Sequence, residues 1–166
     1  SVFRNCRWVG NWSRRVTYEC GSGYGCCVYV NGNFQERMPV LFENCTFAYN
    51  VTSSNGHMPG AVRVNRGDVT FRNCIFHRNA ITSDNRAPSD IYVAYDADDP
   101  EGVRCTVSYT MFDELSTNCC DKAAGGILDI QSTCFTNDPG FVTSTEDFFK
   151  LTNIGSVPGS KRVPYT

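Results

Sequence analysis

The chain has 166 residues, of which 41% are hydrophobic and 19% charged, with a formal net charge of −2. That length is one domain, and the weak negative charge with no Lys/Arg cluster argues against nucleic acid or anionic membrane surfaces as partners. No apolar run approaches the ~18 residues needed to span a bilayer.

In chain order, the first recognisable element is Phe3-Arg4-Asn5-Cys6-Arg7-Trp8-Val9-Gly10-Asn11. Its pattern, aromatic-x-Asn-Cys-x-aromatic-x-x-Asn, returns at residues 42–50 and again at 71–79. The first asparagines are 39 and then 29 residues apart. A fixed core with variable spacing describes a structural rung joined by loops of free length. Within a rung the alternation slips at Asn44, since Val40 and Phe42 share one face and Cys45 and Phe47 the next. A continuous strand keeps its period of two, so the slip predicts a bend, and Asn accepts left-handed backbone more readily than any residue but Gly. Two short strands joined at such an Asn and repeated by stacking predict an all-β fold. It is read as a right-handed parallel β-helix, a solenoid of about four to five coils with a C-terminal closing segment. Asn5, Asn44 and Asn73 are expected to form one ladder whose side chains face the interior. Trp8, Phe47 and Phe76 should form an inward aromatic stack, and Cys6, Cys45 and Cys74 an inward column. A β-sandwich is the competing arrangement, but Asn31-Gly32 is the only good hairpin signal and nothing in a sandwich requires the recurring Asn.

Between rungs, residues 12–27 read as a polar loop leading into the strand Cys27-Val28-Tyr29-Val30. Gly60-Ala61-Val62-Arg63-Val64 and Ser89-Asp90-Ile91-Tyr92-Val93 are its counterparts. A fourth rung, Val103-Arg104-Cys105-Thr106-Val107-Ser108-Tyr109-Thr110-Met111-Phe112, places Tyr109 in the register of Asn73. The loops after each rung are rich in Ser, Asn, Gly and Pro. The remainder, 113–166, reads as an irregular last coil and cap within a single domain, 1–166.

The combination of Gly60-Ala61-Val62 with Phe47-Ala48-Tyr49-Asn50 resembles right-handed parallel β-helix proteins of the pectin-lyase-like superfamily. It is most similar to repeats of the polymorphic outer-membrane-protein type. Asp138-Pro139-Gly140-Phe141-Val142, Asp147-Phe148-Phe149-Lys150-Leu151 and Ser156-Val157-Pro158 resemble the closing segment of such proteins. The first strand departs from the pattern at Gly25-Cys26-Cys27. The resemblance implies the fold far more than an activity, because this fold hosts lyases, hydrolases, adhesins and structural subunits. By the same resemblance the chain is read as the C-terminal part of a longer solenoid or assembly. Its first rung would then be covered by residues upstream of Ser1 or by a neighbouring chain.

Ten cysteines exceed ordinary cytosolic usage and include no CxxC pair, which points to disulfides in an oxidising compartment. Cys20, Cys26, Cys27, Cys105, Cys119, Cys120 and Cys134 are the candidates for bridges, with connectivity open. The sequons Asn11-Trp12-Ser13, Asn44-Cys45-Thr46 and Asn50-Val51-Thr52 agree with a secreted or cell-surface location. Asn11 and Asn50, at rung ends, are the expected glycan sites, and Asn44 is doubtful as a ladder residue.

Catalytic signatures are thin. His57 and His77 are isolated and read as exposed polar residues. Asp96, Asp98 and Asp99 form an acidic loop that is a weak Ca²⁺ candidate and reads as a solvated turn, with Arg104 the nearest base. No cofactor is expected apart from that Ca²⁺. The preferred expectation is an extracellular structural or adhesive glycoprotein module that assembles with other chains into a surface layer or filament. The alternative is a carbohydrate-active enzyme or polysaccharide-binding protein, with Tyr92 and Tyr95 offered to sugars.

Overall fold

The computed structural model describes residues 1–13, 27–32, 39–52, 59–82, 88–94 and 102–141. The chain runs through β1 (Val2–Arg4), β2 (Arg7–Val9), β3 (Trp12–Ser13) and β4 (Val28–Asn31), and then repeats the circuit. The second pass is β5 (Val40–Glu43), β6 (Thr46–Ala48), β7 (Val51–Thr52) and β8 (Val62–Arg66). The third is β9 (Asp68–Arg72), β10 (Ile75–His77), β11 (Ala80–Ile81) and β12 (Ile91–Val93). A fourth pass has β13 (Arg104–Ser108), β14 (Met111–Phe112) and β15 (Cys120–Lys122), and a fifth begins with β16 (Ile127–Ile130) and β17 (Phe135–Thr136). No helix among the described residues is long and apolar enough to cross a membrane.

Equivalent strands of successive circuits pair in parallel, giving four sheets ordered β1-β5-β9-β13-β16, β2-β6-β10-β14-β17, β3-β7-β11 and β4-β8-β12-β15. This all-β arrangement of stacked parallel sheets is compatible with a β-helix and excludes the sandwich pairing. Residues 113–136, expected to be irregular, hold three of these strands in register with the earlier circuits. The closing signals at 147–151 and 156–158 lie outside the described residues.

The core follows from register. Because Trp8, Phe47 and Phe76 are Cα partners, their rings stack with centroids 4.8 and 4.7 Å apart, and Phe112 continues the column at 5.1 Å. A second column, which sequence reasoning did not separate out, is Phe3, Phe42 and Phe71 at 5.0 and 4.9 Å. The two columns meet edge-on, with Phe42 and Phe47 5.7 Å apart at 73°. Each fully buried ring contributes on the order of 2 kcal/mol by burial, with about 1 kcal/mol more for a favourable ring pair.

The bend between the first two strands of each circuit is left-handed: φ is 54° at Asn5, 55° at Asn44, 53° at Asn73 and 50° at Tyr109. Asn44→Ala is expected to lower stability by about 1 kcal/mol and Asn44→Gly by less, since only the former meets the Cβ clash of this backbone region. Urea unfolding of the two variants checks this, and equal losses would count against strain as the cause. A second left-handed bend per circuit stands at Gly10 (67°), Tyr49 (56°) and Arg78 (48°). Gly60 has a different reason to be Gly. A Cβ there would sit 2.8 Å from the backbone of both Ala80 and Asn50.

Candidate functional site

The asparagine that closes each rung proves more informative than the one at the bend. Asn11, Asn50 and Asn79 stack one above another. Asn11 donates its backbone N–H and its Nδ2 to Asn50 Oδ1 at 3.1 and 2.8 Å. Asn50 does the same to Asn79 Oδ1 at 3.0 and 2.9 Å. The remaining Nδ2 hydrogens reach back to a carbonyl of the previous circuit, Asn50 to Trp8 O and Asn79 to Phe47 O, each at 2.9 Å. This ladder is buried, and Asn50 is 0% exposed. A glycan on Asn50 is therefore incompatible with the fold, because its amide donates to two acceptors in a space with no solvent. That expectation is corrected.

The expected orientation of the bend asparagines is corrected too. Asn5, Asn44 and Asn73 are stacked in register but exposed, with Asn73 Nδ2 donating to Asn44 Oδ1 at 2.7 Å on the outer surface. A residue at a convex left-handed bend points its side chain away from the core. Of the three sequon asparagines, Asn11 and Asn44 are exposed and Asn50 is buried. Asn11 is exposed, but its Nδ2 is already bonded to Asn50 and, at 3.4 Å, to Cys27 Sγ.

In the direction of the C-terminus the buried ladder ends on a carboxyl group. Asn79 Nδ2 donates to Asp90 Oδ1 at 2.8 Å, and Asp90 N donates to Cys119 O at 2.9 Å. Asp90 is 2% exposed, and loss of solvent pushes its pKa up to about 7, with the nearby Asp113 and Glu114 charges adding to the rise. By register the counterpart of Asn79 in the next circuit is Leu115, which has no amide to offer and is exposed.

Among the described residues no disulfide is seen: Cys105, Cys119, Cys120 and Cys134 carry thiols, as do Cys6, Cys45 and Cys74, while the candidates Cys20 and Cys26 lie outside the described residues. Cys6, Cys45 and Cys74 each donate Sγ–H to the carbonyl two residues earlier, at 3.3, 3.2 and 3.4 Å. Thr110 takes the same place in the fourth circuit, where its hydroxyl donates to Ser108 O at 2.9 Å. The column is thus a set of small donors that satisfy the carbonyl just before each bend. Burial pushes the thiols up, Cys74 and Cys119 to about 12 and Cys120 well above its ordinary value. Thiols held protonated in this way are poor nucleophiles for disulfide exchange.

The outer face carries an ion-pair row and one groove. Glu43 accepts from Arg4 Nε at 2.7 Å and from Arg72 Nε at 2.8 Å, and these two guanidinium groups hold its pKa below the usual value. A shallow, open groove of about 450 Å³ is lined by His77, Arg78, Asp113, Thr136, Asn137 and Asp138. His77 Nδ1 lies 2.6 Å from Asp113 Oδ1, and Asp113 Oδ2 accepts from Arg78 N at 2.5 Å. The imidazole is sandwiched edge-on by Tyr49 and Phe141 at 5.3 and 5.4 Å. His77 is buried where the sequence reads as exposed, because the segment through Phe141 folds back along the outside of the second sheet. A His–Asp pair can orient a ring and hold a proton, and no hydroxyl or thiol is bonded to its other nitrogen among the described residues.

Tyr92 is only 6% exposed and cannot present its face to a sugar. Arg104 is exposed on β13. Asp96, Asp98, Asp99, Tyr95 and His57 lie outside the described residues. Among the described residues no group of three or more His, Cys, Asp or Glu is placed to hold a metal ion. Compared with protein-family models, curated proteins and solved structures, the chain gives no match in any of the three.

Proposed function

We propose that the chain is a structural module of a right-handed parallel β-helix of the pectin-lyase-like type, that it works outside the cell and assembles with other chains, and that its first circuit is covered by a further coil, from residues upstream of Ser1 or from a neighbouring chain. The observation that carries this is the state of that circuit. β1, β2, β3 and β4 are each the end strand of their sheet among the described residues, and Val2, Phe3 and Trp12 stand exposed there. Unpaired edges beside exposed rings call for a further coil that continues the sheets. Placement outside the cell rests on the family resemblance and on the Asn44 sequon, with its side chain in solvent and Thr46 beside it; Asn44 is the glycan site under this reading. Electron microscopy of native material tests the assembly, with end-to-end particles expected, and uniformly single particles would overturn it. Intact mass before and after enzymatic deglycosylation, with Asn44→Gln as control, tests the glycan.

A second reading, a polysaccharide-binding protein or a carbohydrate-active enzyme, has the groove at His77 and Asp113 in its favour. Release of reducing or unsaturated ends from acidic or neutral polysaccharides, lost in Asp113→Asn, would favour it.

A further inference from the structure

The buried asparagine ladder ends at a corner where the third and fourth circuits meet, and acids gather there around a segment that is lightly held. We propose that this corner is a proton-operated latch. With Asp90 protonated, residues 114–119 close over the end of the ladder; with Asp90 ionised, they come away from the third circuit more readily and admit water to its carboxyl group.

The segment is built to move separately from the strands on either side of it. The backbone bonds that hold it to the third circuit run from Ser89 N to Asn118 O at 2.7 Å, and from Asp90 N and Ile91 N to Cys119 O at 2.9 and 3.0 Å. Glu114, Ser116 and Asn118 bond among themselves, with Ser116 Oγ donating to Glu114 Oε1 at 2.6 Å and Asn118 N to Ser116 Oγ at 3.1 Å, so they travel together. None of residues 113–118 is buried, and Leu115 is 47% exposed. Opening therefore gives up little apolar contact, which marks a unit that unfolds locally at low cost. Its two ends are fixed. Asp113 is tied to His77 Nδ1 and Arg78 N, and Cys120 opens β15, which is paired with β12.

Charge decides how firmly the latch holds. Asp90 is 2% exposed and accepts from Asn79 Nδ2 at 2.8 Å. Facing it across the corner are Asp113, Glu114 and the thiols of Cys119 and Cys120. Loss of water is the largest cost of ionising it; the Asn79 amide and the Cys119 thiol ease that cost, and the two acids add to it. Among the described residues no cation is bonded to Asp90, and His77 is bonded to Asp113 instead. Opening returns water to Asp90 and carries Glu114 away from it. The carboxyl ionises near 3.8 in water and near about 7 in the closed corner. Below the lower value both forms keep the proton, and opening does not vary with pH. Between the two values only the open form is ionised, so the opening constant rises about tenfold per pH unit. Above the upper value it is level, about a thousandfold over its acid limit.

Hydrogen–deuterium exchange of the full chain from about pH 4.5 to about pH 8.5, with labelling times scaled for the chemical exchange rate, tests the latch. Protection of the Ser89, Asp90 and Ile91 amides is expected to fall about tenfold per pH unit up to neutrality and then level off. A local opening exposes little surface, so at neutral pH these amides should exchange at nearly the same rate up to about 2 M urea, while those of β6 and β10 exchange faster as urea is added. In Asp90→Asn the dependence on pH should vanish. In Glu114→Gln, whose exposed site tolerates the change, it should persist with a smaller total fall, because one like charge is gone. Protection that does not vary with pH in the unaltered chain, or that falls equally in Asp90→Asn, overturns the proposal. So does a urea dependence at residues 89–91 equal to that of β6 and β10, since the whole solenoid would then be opening and there would be no latch.

Discussion

Replacing Asp90 by Asn is expected to stabilise the chain at neutral and alkaline pH and to leave it unchanged near pH 3.5. In the unfolded chain this carboxyl ionises near 3.8, whereas burial at the end of the asparagine ladder raises its folded value to about 7. Below the lower value both states hold the proton, and the native chain pays no penalty. As pH rises through the interval, the unfolded state releases its proton first, so stability falls until about pH 7 and is level above it. The size of the fall is on the order of 4 kcal/mol. Among the described residues the charged groups that act on it are the acids Asp113 and Glu114, and no cation is bonded to it. An amide at position 90 still accepts from Asn79 Nδ2 but never carries charge. Denaturant midpoints of both proteins between pH 3.5 and 8.5 check this. A difference that does not vary with pH would refute the buried carboxyl as its cause.

Phe47→Ala should be the most damaging single truncation in the core, at about 4 kcal/mol, against a total stability on the order of 10 kcal/mol. Its ring is fully buried between Trp8 and Phe76 and touches Phe42 and Phe71 edge-on, so its loss opens a cavity lined on four sides. Phe3→Ala, at the open end of the second column and 39% exposed, is expected to cost about 1 kcal/mol. Equilibrium unfolding followed by Trp fluorescence compares the two. Equal losses would mean that the columns do not bury their inner rings as described. When a partner coil occupies the first circuit, the cost of Phe3→Ala should rise toward that of Phe47→Ala.

Much of this architecture is legible in the residues because a repeat amplifies a weak local signal. The slip of alternation at Asn44 says little once, but at Asn5, Asn44 and Asn73 it marks a left-handed bend, and Phe112 sets Tyr109 in the same place without an Asn. The second bend is hidden, because Tyr49 and Arg78 are not residues that favour positive φ. There the stacked hydrogen bonds from Gly10 N to Ala48 O and from Tyr49 N to His77 O impose the conformation from outside. The cysteines mislead for a related reason. A thiol in a stack can serve as a small donor to the carbonyl before a bend, as Thr110 shows, and composition alone cannot tell that from a disulfide half.

By itself, then, the order of residues determines which segments become strands, where the chain first bends and that the circuits stack, since these depend on spacing and on local backbone preference. Which of two recurring asparagines faces inward is decided only by the closed fold. Both lie at bends or rung ends, and the handedness of each corner, set by contacts with the neighbouring circuits, chooses the side. The same holds for Asp90, whose unusual affinity for its proton arises from the loss of water around it and from a ladder partner eleven positions away in the chain.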